Sequence, residues 1–309
     1  MQSVLITGGL GNLGSWLTHF FVEQGLDVTV LTKNKRKMEF DASFKTIACD
    51  ISDLSSCQKV LTQAYDVIIH TASVNDNFVD DYANKALKVN ALGTRNILES
   101  IQDNPPKHFI YFSTFHVYGK YSGEITEETE LVPMNDYGTT HLFAEYYVKQ
   151  FNKTNGIPYS IIRLSNSYGC PKDYASSKWY LILNDLSKMA FTEQKIVLKG
   201  NGLASRDFIW MGDVCRVIHE LSQSVPENEV YNLSSEQAYS LLDVAKEVQK
   251  AYKETYDKEI EIQTNKEDAS QPRPPVAISS QKIKQKIPFE GNSKFYSEAL
   301  NIFHFLSKE

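Results

Sequence analysis

The chain has 309 residues, of which 42% are hydrophobic and 23% charged, and a net charge of −6 at pH 7. That length serves one large domain or two moderate ones with ample core, and the composition is that of a globular protein. The acidic balance, without a basic block, excludes a general nucleic-acid binder, and no apolar run approaches the length of a membrane span.

The chain opens on an apolar β-type run, Ser3-Val4-Leu5-Ile6-Thr7, which ends in a turn containing Gly8, Gly11 and Gly14. Leu13, Trp16, Leu17, Phe20 and Phe21 then form one apolar helical stripe, stopped by Gly25. Strand, tight turn and helix N-terminus make an anion site, because first-turn N–H groups and the helix dipole favour a phosphate there. The spacing is G-x-x-G-x-x-G, and a plain strand-to-helix connection would also account for it. With a strand under way at Ser3, no leader segment is expected, and a cytoplasmic location is the default. Cys49, Cys57, Cys170 and Cys215 are scattered, read as reduced thiols, and suggest no metal site.

Residues 28–31 and 45–49 read as the second and third strands, and 53–64 as a helix. Residues 67–72 are a nearly all-apolar fourth strand, expected to be buried on both faces. A helix is predicted over 79–102, ending ahead of Pro105-Pro106. Residues 109–112 form the fifth strand, 136–155 a helix closed by Gly156 and Pro158, and 159–164 the sixth strand. This alternation predicts an α/β fold, a doubly wound parallel sheet of Rossmann type over residues 1–165, with ligands beyond the carboxyl ends of its strands. Beyond residue 165 the elements shorten, and residues 166–309 read mainly as a smaller C-terminal substrate-binding lobe. A segment near 207–235, containing the apolar run 230–233, is expected to return to the sheet. Residues 271–275, Gln-Pro-Arg-Pro-Pro, read as a rigid extended loop.

Several polar residues fall just past the strands. Asp50 follows the third and Thr114 the fifth. Tyr137 opens the next helix, and His141, four residues on, shares its face.

The motifs that carry a resemblance are Thr7-Gly8-Gly9-x-Gly11-x-x-Gly14, Cys49-Asp50-Ile51, His70-x-Ala72 and Val89-Asn90-x-x-Gly93-Thr94-x-Asn96. They continue in Ser113-Thr114 with Val117-Tyr118-Gly119, in Tyr137, in Arg163-Leu164-Ser165-Asn166-x-Tyr168-Gly169, and in Arg206-Asp207-Phe208-Ile209 with Asp213-Val214. In these the chain resembles the extended short-chain dehydrogenase/reductases, in particular the NAD-dependent sugar-nucleotide epimerase/dehydratase branch. The resemblance implies hydride transfer from the carbon of a sugar hydroxyl to nicotinamide, with Tyr137 as the base and Thr114 as its helper and a substrate contact. It implies NAD held by Gly8, Gly11, Asn12, Leu13 and Gly14, by Thr32, Asp50 and Ile51, by Ala72 and Asn90, and by Tyr137 and His141. It places Asn166 and Arg206 on a nucleotide-sugar substrate, with Arg273 closing from the Pro-rich loop, since a guanidinium fork suits phosphate oxygens. A salt bridge to Asp207 or Asp213 is the alternative for Arg206. In the family it resembles, the long helices over 79–102 and 136–155 form a four-helix dimer interface, so the resemblance implies a homodimer.

The chain also departs from the branch. Its Y-x-x-x-K motif reads Tyr137-Gly138-Thr139-Thr140-His141. A free tyrosine titrates near ~10 and needs help to ionise, and a histidine near ~6.5 is mostly neutral at pH 7. His141 would assist by charge only if its own pKa were raised. A working substitute and a non-catalytic dinucleotide-binding protein are both open. Phe115-His116 stand where the branch's dehydratases carry Asp-Glu, which argues against a 4,6-dehydratase. Thr32, followed by Lys33, Asn34, Lys35 and Arg36, stands where an acidic residue would select NAD, so NADP is not excluded. The stretch 113–119 together with the histidine resembles bacterial enzymes that oxidise C4 of GDP-heptose for surface polysaccharides. The expectation is an NAD-dependent 4-dehydrogenase of a nucleotide sugar, with 4-epimerase and 4-ketoreductase as alternatives.

Overall fold

The computed structural model describes residues 1–35, 43–75, 80–120, 122–176, 178–265 and 276–308. The first half runs β1 (Ser3–Thr7), α1 (Asn12–Glu23), β2 (Asp27–Thr32), β3 (Lys45–Ala48), α2 (Leu54–Val60) and β4 (Val67–His70). It continues with α3 (Tyr82–Ala86), a π-helical turn (Leu87–Leu92), α4 (Gly93–Ile101), β5 (His108–Thr114), β6 (Gly123–Ile125), α5 (Asp136–Asn155) and β7 (Tyr159–Leu164). Next come β8 (Asn166–Tyr168), α6 (Ile182–Glu193), β9 (Lys195–Leu198), β10 (Ser205–Trp210), α7 (Met211–Gln223) and β11 (Glu229–Leu233). The chain ends with β12 (Ala238–Ser240), α8 (Leu241–Tyr256), β13 (Glu261–Thr264), β14 (Val276–Ile278), α9 (Gln281–Lys286) and α10 (Phe295–Leu306).

Seven strands form one parallel sheet in the order β11-β7-β5-β4-β1-β2-β3. The order reverses between β1 and β4, and a crevice opens beyond the strand ends at such a reversal. Side chains alternate across the sheet. Val4 and Ile6 of β1 join a core with Leu17 and Phe21 of α1 and Val214 and Ile218 of α7. Leu5 points the other way, into a core with Ile97 and Leu98 of α4 and Val148 of α5. Both faces of the inner strands are therefore covered, which is why β1 and β4 are apolar over most of their length. Complete burial of a side chain such as Leu17 or Phe21 contributes roughly 1.5–3 kcal/mol.

The late return to the sheet is made by α7, which packs against α1, and by β11, which pairs with β7. Outside the central sheet, β10 pairs β8 in parallel and β12 antiparallel, while β13 pairs β9. A separate core forms there from α6, α8 and α10, with Leu186, Val248 and Phe303 at its centre.

α5 has the predicted bounds because both ends are marked chemically. Asn135 caps it by accepting the Gly138 N–H at 2.8 Å, and Gly156 leaves it at φ 71°. The predicted helix over 53–64 is shorter: Asp53 caps α2, but Leu61 and Tyr65 turn into the core after Val60. The fourth strand stops at His70, because the Thr71 hydroxyl bonds back to the Thr7 carbonyl at 2.7 Å. The single helix predicted over 79–102 is interrupted by the π turn, which buries Asn90 and Ala91. Gly93 then lets α4 press on Ile51, whose Cδ1 lies 2.9 Å from where a Cβ would stand. The Pro-rich segment 271–275, with Arg273, lies outside the described residues. No helix among the described residues is long and apolar enough to cross a membrane.

Candidate functional site

The crevice at the strand reversal is a cleft of about 1300 Å³. Its near wall is the glycine turn. Gly8 has φ 69°, and a Cβ there would lie 2.8 Å from the Cα of Ala72, so only glycine lets the turn lie against the end of β4. A Cβ on Gly14 would meet the Gly8 carbonyl oxygen at 2.1 Å. Gly11 caps α1 without a side-chain bond, so no side chain occupies the N–H groups of the first turn. Together these features make a cradle that admits a diphosphate and no side chain. Gly8, Gly11, Asn12, Leu13, Gly14 and Ala72 all line the cleft.

At one end lie Thr32, Asp50 and Ile51. The Asp50 carboxylate accepts the Lys33 ammonium at 2.7 Å, the Ser52 hydroxyl at 2.7 Å and the Ser52 N–H at 3.1 Å. The bond from Lys33 is the main cause that holds its pKa below the ordinary carboxylate value. Lys33, one of the basic residues the sequence offers to an extra phosphate, is thus engaged across the ends of β2 and β3. Arg36 lies outside the described residues.

At the other end the cleft reaches Thr114, Tyr137 and His141. β5 ends at Thr114, whose hydroxyl oxygen accepts the His116 N–H at 3.3 Å and so caps the short turn that follows. Tyr137 lies in the first turn of α5, with His141 one turn on. Their rings meet edge to face with centroids 4.5 Å apart, and His116 packs on Tyr137 at 5.8 Å. The His141 Nδ1 lies 2.7 Å from the Tyr111 hydroxyl, while its Nε2 is buried with no protein partner. Burial pushes the His141 imidazole down to about 3. Burial thus disfavours at His141 the positive charge that a lysine would carry beside Tyr137.

Two sequence readings need correction. Asn90 does not line the cleft. It accepts the Val74 N–H at 2.8 Å and donates to the Val74 carbonyl at 3.0 Å and to the Thr140 hydroxyl at 3.1 Å. Its amide is engaged by the loop after β4, so it shapes the cleft wall from behind. For Arg206, the salt-bridge alternative does not hold among the described residues. Asp207 is buried among the hydroxyls of Ser165 and Ser235, and Asp213 pairs with Arg216. Arg206 lines the cleft, as does Asn166, whose amide donates to the Asp207 carbonyl at 2.9 Å. Arg273 falls outside the described residues.

Tyr180 lines the cleft, its hydroxyl accepting from the Asn75 amide at 2.6 Å, as do Lys85, Lys88 and Lys178, to which the sequence reading gives no role. Behind His141 lie Tyr111, Thr94 and His70, all buried. Thr94 and His70 stand inside motifs that mark the resemblance, but Tyr111 reads as one more apolar residue of a buried strand. Asp50 is the one carboxylate among the lining residues described, and it sits at the end away from Thr114.

A family model described as the NAD dependent epimerase/dehydratase family matches residues 4–234. A Methanocaldococcus jannaschii protein named after UDP-glucose 4-epimerase is 30% identical over 240 residues, which cover 75% of this chain and 76% of that one. The dTDP-D-glucose 4,6-dehydratase of Dictyostelium discoideum is 26% identical over 278 residues, or 80% of this chain, and the match spans 62% of that longer protein. The crystal structure of UDP-glucuronic acid 4-epimerase from Bacillus cereus in complex with NAD superposes with a TM-score of 0.79, covering 100% of this chain and 99% of that one. At 20% identity that likeness is one of fold.

Proposed function

The chain belongs to the NAD-dependent epimerase/dehydratase family, and from that premise we propose that it uses NAD to oxidise the C4 hydroxyl of a nucleotide sugar. The observation that carries this reading is the convergence of Thr114, Tyr137 and His141 at one end of the cleft whose wall is the glycine cradle. NAD, when bound, supplies the hydride acceptor. Gly8, Gly11, Asn12, Leu13, Gly14 and Ala72 hold its diphosphate, and Thr32, Asp50 and Ile51 its adenosine. Tyr137 takes the hydroxyl proton of the substrate, Thr114 orients that hydroxyl, and His141 positions the cofactor ribose. Arg206, Asn166 and Arg273 receive the nucleotide diphosphate and sugar.

Dehydration needs a carboxylic acid beside Thr114 to protonate the departing hydroxyl. Phe115 and His116 occupy those positions, so oxidation proceeds without elimination. Whether the hydride returns decides between a 4-dehydrogenase and a 4-epimerase, and the relative named after UDP-glucose 4-epimerase supports the second reading.

The test is to release and identify any bound dinucleotide, then to screen nucleotide sugars by mass spectrometry, GDP-heptose first because of the resemblance in residues 113–119. A two-dalton loss reports dehydrogenation, and a product of unchanged mass that separates from the substrate by chromatography reports epimerisation. Absence of turnover, with ligand binding unaffected in Tyr137→Phe, would identify a non-catalytic dinucleotide-binding protein instead.

We also propose a homodimer. Leu87 and Leu92 in the π turn are 42% and 45% exposed, and Phe143 and Tyr146 on the adjoining α5 are 45% and 53% exposed. This apolar patch on paired helices fits a second copy of the chain. Phe143→Glu is expected to halve the mass measured by light scattering.

A further inference from the structure

The chain passes from the central sheet to the smaller one by two short crossings. The first is Ser165, the single residue between β7 and β8, and the second is the stretch 234–237 between β11 and β12. The two crossings touch, since the Ser165 N–H donates to the Leu233 carbonyl at 3.0 Å. β10 pairs with both strands that leave them. Its residues up to Asp207 pair with β12, where Asp207 stands opposite Ala238, and from Phe208 onward they pair with β8, where Phe208 stands opposite Asn166. Asp207 is therefore the residue at which β10 changes partners.

Its side chain grips both crossings at once. Oδ1 accepts the Ser165 hydroxyl and, at 3.2 Å, the Ser235 N–H, while Oδ2 accepts the Ser235 hydroxyl at 3.0 Å. Asp207, Ser165 and Ser235 are all buried. An ionised carboxylate only accepts, which suits a ring of donors, and such bonds are strong where water is excluded. Gly291, at φ 69°, backs the second crossing so closely that a Cβ there would lie 2.9 Å from the Ser235 carbonyl oxygen.

Alternation along β10 passes this anchorage on to the cleft, because successive side chains of a strand point to opposite faces. Arg206 and Phe208 line the cleft, and Asp207 between them is buried in the junction. The Asp207 carbonyl also accepts the Asn166 amide at 2.9 Å. Arg206 is thus held as the strand neighbour of Asp207, and Asn166 both through that carbonyl and through Ser165 beside it.

We infer that Asp207 is a positioning residue: by holding both crossings it fixes the smaller sheet against the central one and aims Arg206 and Asn166 into the cleft. The inference rests on the proposed function only for the identity of the ligand that those two residues receive.

Asp207→Asn keeps the size of the side chain but replaces one acceptor oxygen with a donor, which then faces the donors of Ser165 and Ser235. Hydrogen exchange of the full chain, without added ligand, reads the grip itself. Peptides that cover Ser165 and Ser235 are expected to exchange about tenfold faster in the variant, and those of β1 and β4 within about twofold of the wild type. Unchanged exchange at either crossing overturns the inference, and so does an equal rise in β1 and β4, which reports a general loss of stability. Calorimetric titration with UDP and GDP reads the aim. The Kd of whichever binds the wild type should rise about tenfold, while dinucleotide content stays within about twofold. In turnover the KM of the nucleotide sugar should rise by the same factor, with kcat within about threefold. An unchanged Kd, or a fall in kcat at constant KM, overturns the positioning role. Where Asp207→Asn fails to fold, Ser165→Ala and Ser235→Ala each release one crossing. Each should speed exchange at its own crossing and weaken the nucleoside diphosphate about threefold, and no effect of either overturns the inference. Should the wild type bind neither UDP nor GDP, the nucleotide-sugar reading falls, and hydrogen exchange still decides the grip.

Discussion

Arg163 on β7 and Glu145 on α5 form a two-pronged ion pair, at 3.0 Å from Nε to Oε1 and 2.7 Å from Nη2 to Oε2, with side chains 2% and 0% exposed. The same carboxylate accepts the hydroxyl of Ser113, the neighbour of Thr114, at 2.6 Å. Glu145 also lies one helical turn beyond His141. One buried carboxylate thus fixes α5 to β5 and β7 at the level of the cleft that Tyr137 and Thr114 line.

Breaking this pair should be costly in both stability and rate. Glu145→Gln leaves the Arg163 charge buried without a counter-ion, which costs about 3–5 kcal/mol. The midpoint of urea denaturation should fall accordingly, and turnover should fall with it because α5 is released. The double variant Glu145→Gln, Arg163→Met removes the stranded charge and should recover much of the stability. A loss below about 1 kcal/mol in the single variant would rule out the clamp.

Stability should decline with mild acid. Burial holds His70 at about 3, His108 at about 4 and His141 at about 3, against about 6.5 in an unfolded chain. Because these folded values are depressed, the unfolded chain binds protons below pH 6.5 that the folded chain refuses. The stabilisation is complete above that pH and is lost as pH falls toward the folded values. Each histidine contributes a slope of up to about 1.4 kcal/mol per pH unit. Thermal midpoints measured from pH 7.5 to pH 5 should drop progressively, and a flat profile would contradict the neutral assignment.

Tyr137→Phe removes one hydroxyl from the first turn of α5 and leaves the packing with His116 and His141 in place. Turnover of the nucleotide sugar should fall by roughly 10²–10⁴, the range expected for loss of a general base. Dinucleotide content after purification should stay within about twofold, since the cradle lies on α1. Equal losses of both would place Tyr137 in binding alone.

Gly14→Ala should abolish dinucleotide binding, because its Cβ would meet the Gly8 carbonyl at 2.1 Å and push the turn open. Gly25→Ala is the control. Its φ of 76° costs roughly 1–2 kcal/mol, but nothing lies within 4 Å of the new methyl, so dinucleotide content should be unaffected. Release and quantification of the bound nucleotide separate the two.

The sequence discloses elements whose ends are chemically marked and whose stripe has one period. α5 is the clear case, since Asn135, Gly156 and Pro158 bracket it. The π turn is hidden because apolar spacing near Leu87–Leu92 suits an α-helix equally well, and only the tertiary bond from Asn90 to Val74 shows why the helix is re-aimed there. The residues proposed to meet the ligand fall in motifs at strand ends, where position alone suggests a role. Tyr111 does not: a buried strand conceals a hydroxyl that matters only because His141 lies across from it. The charge of His141 was likewise illegible, since it follows from burial and not from residue type.

The late return of α7 and β11 to the central sheet has a consequence for dissection of the chain. A fragment ending at residue 165 would lose the helix that covers Leu17 and Phe21, and would present β7 as a bare edge with unpaired backbone groups. Such an edge recruits other strands, so the fragment should aggregate when expressed alone. The two halves of the chain that meet at residue 165 are therefore not separable as modules. Neither can be exchanged between relatives by a cut at their apparent boundary unless residues 211–233 travel with the first.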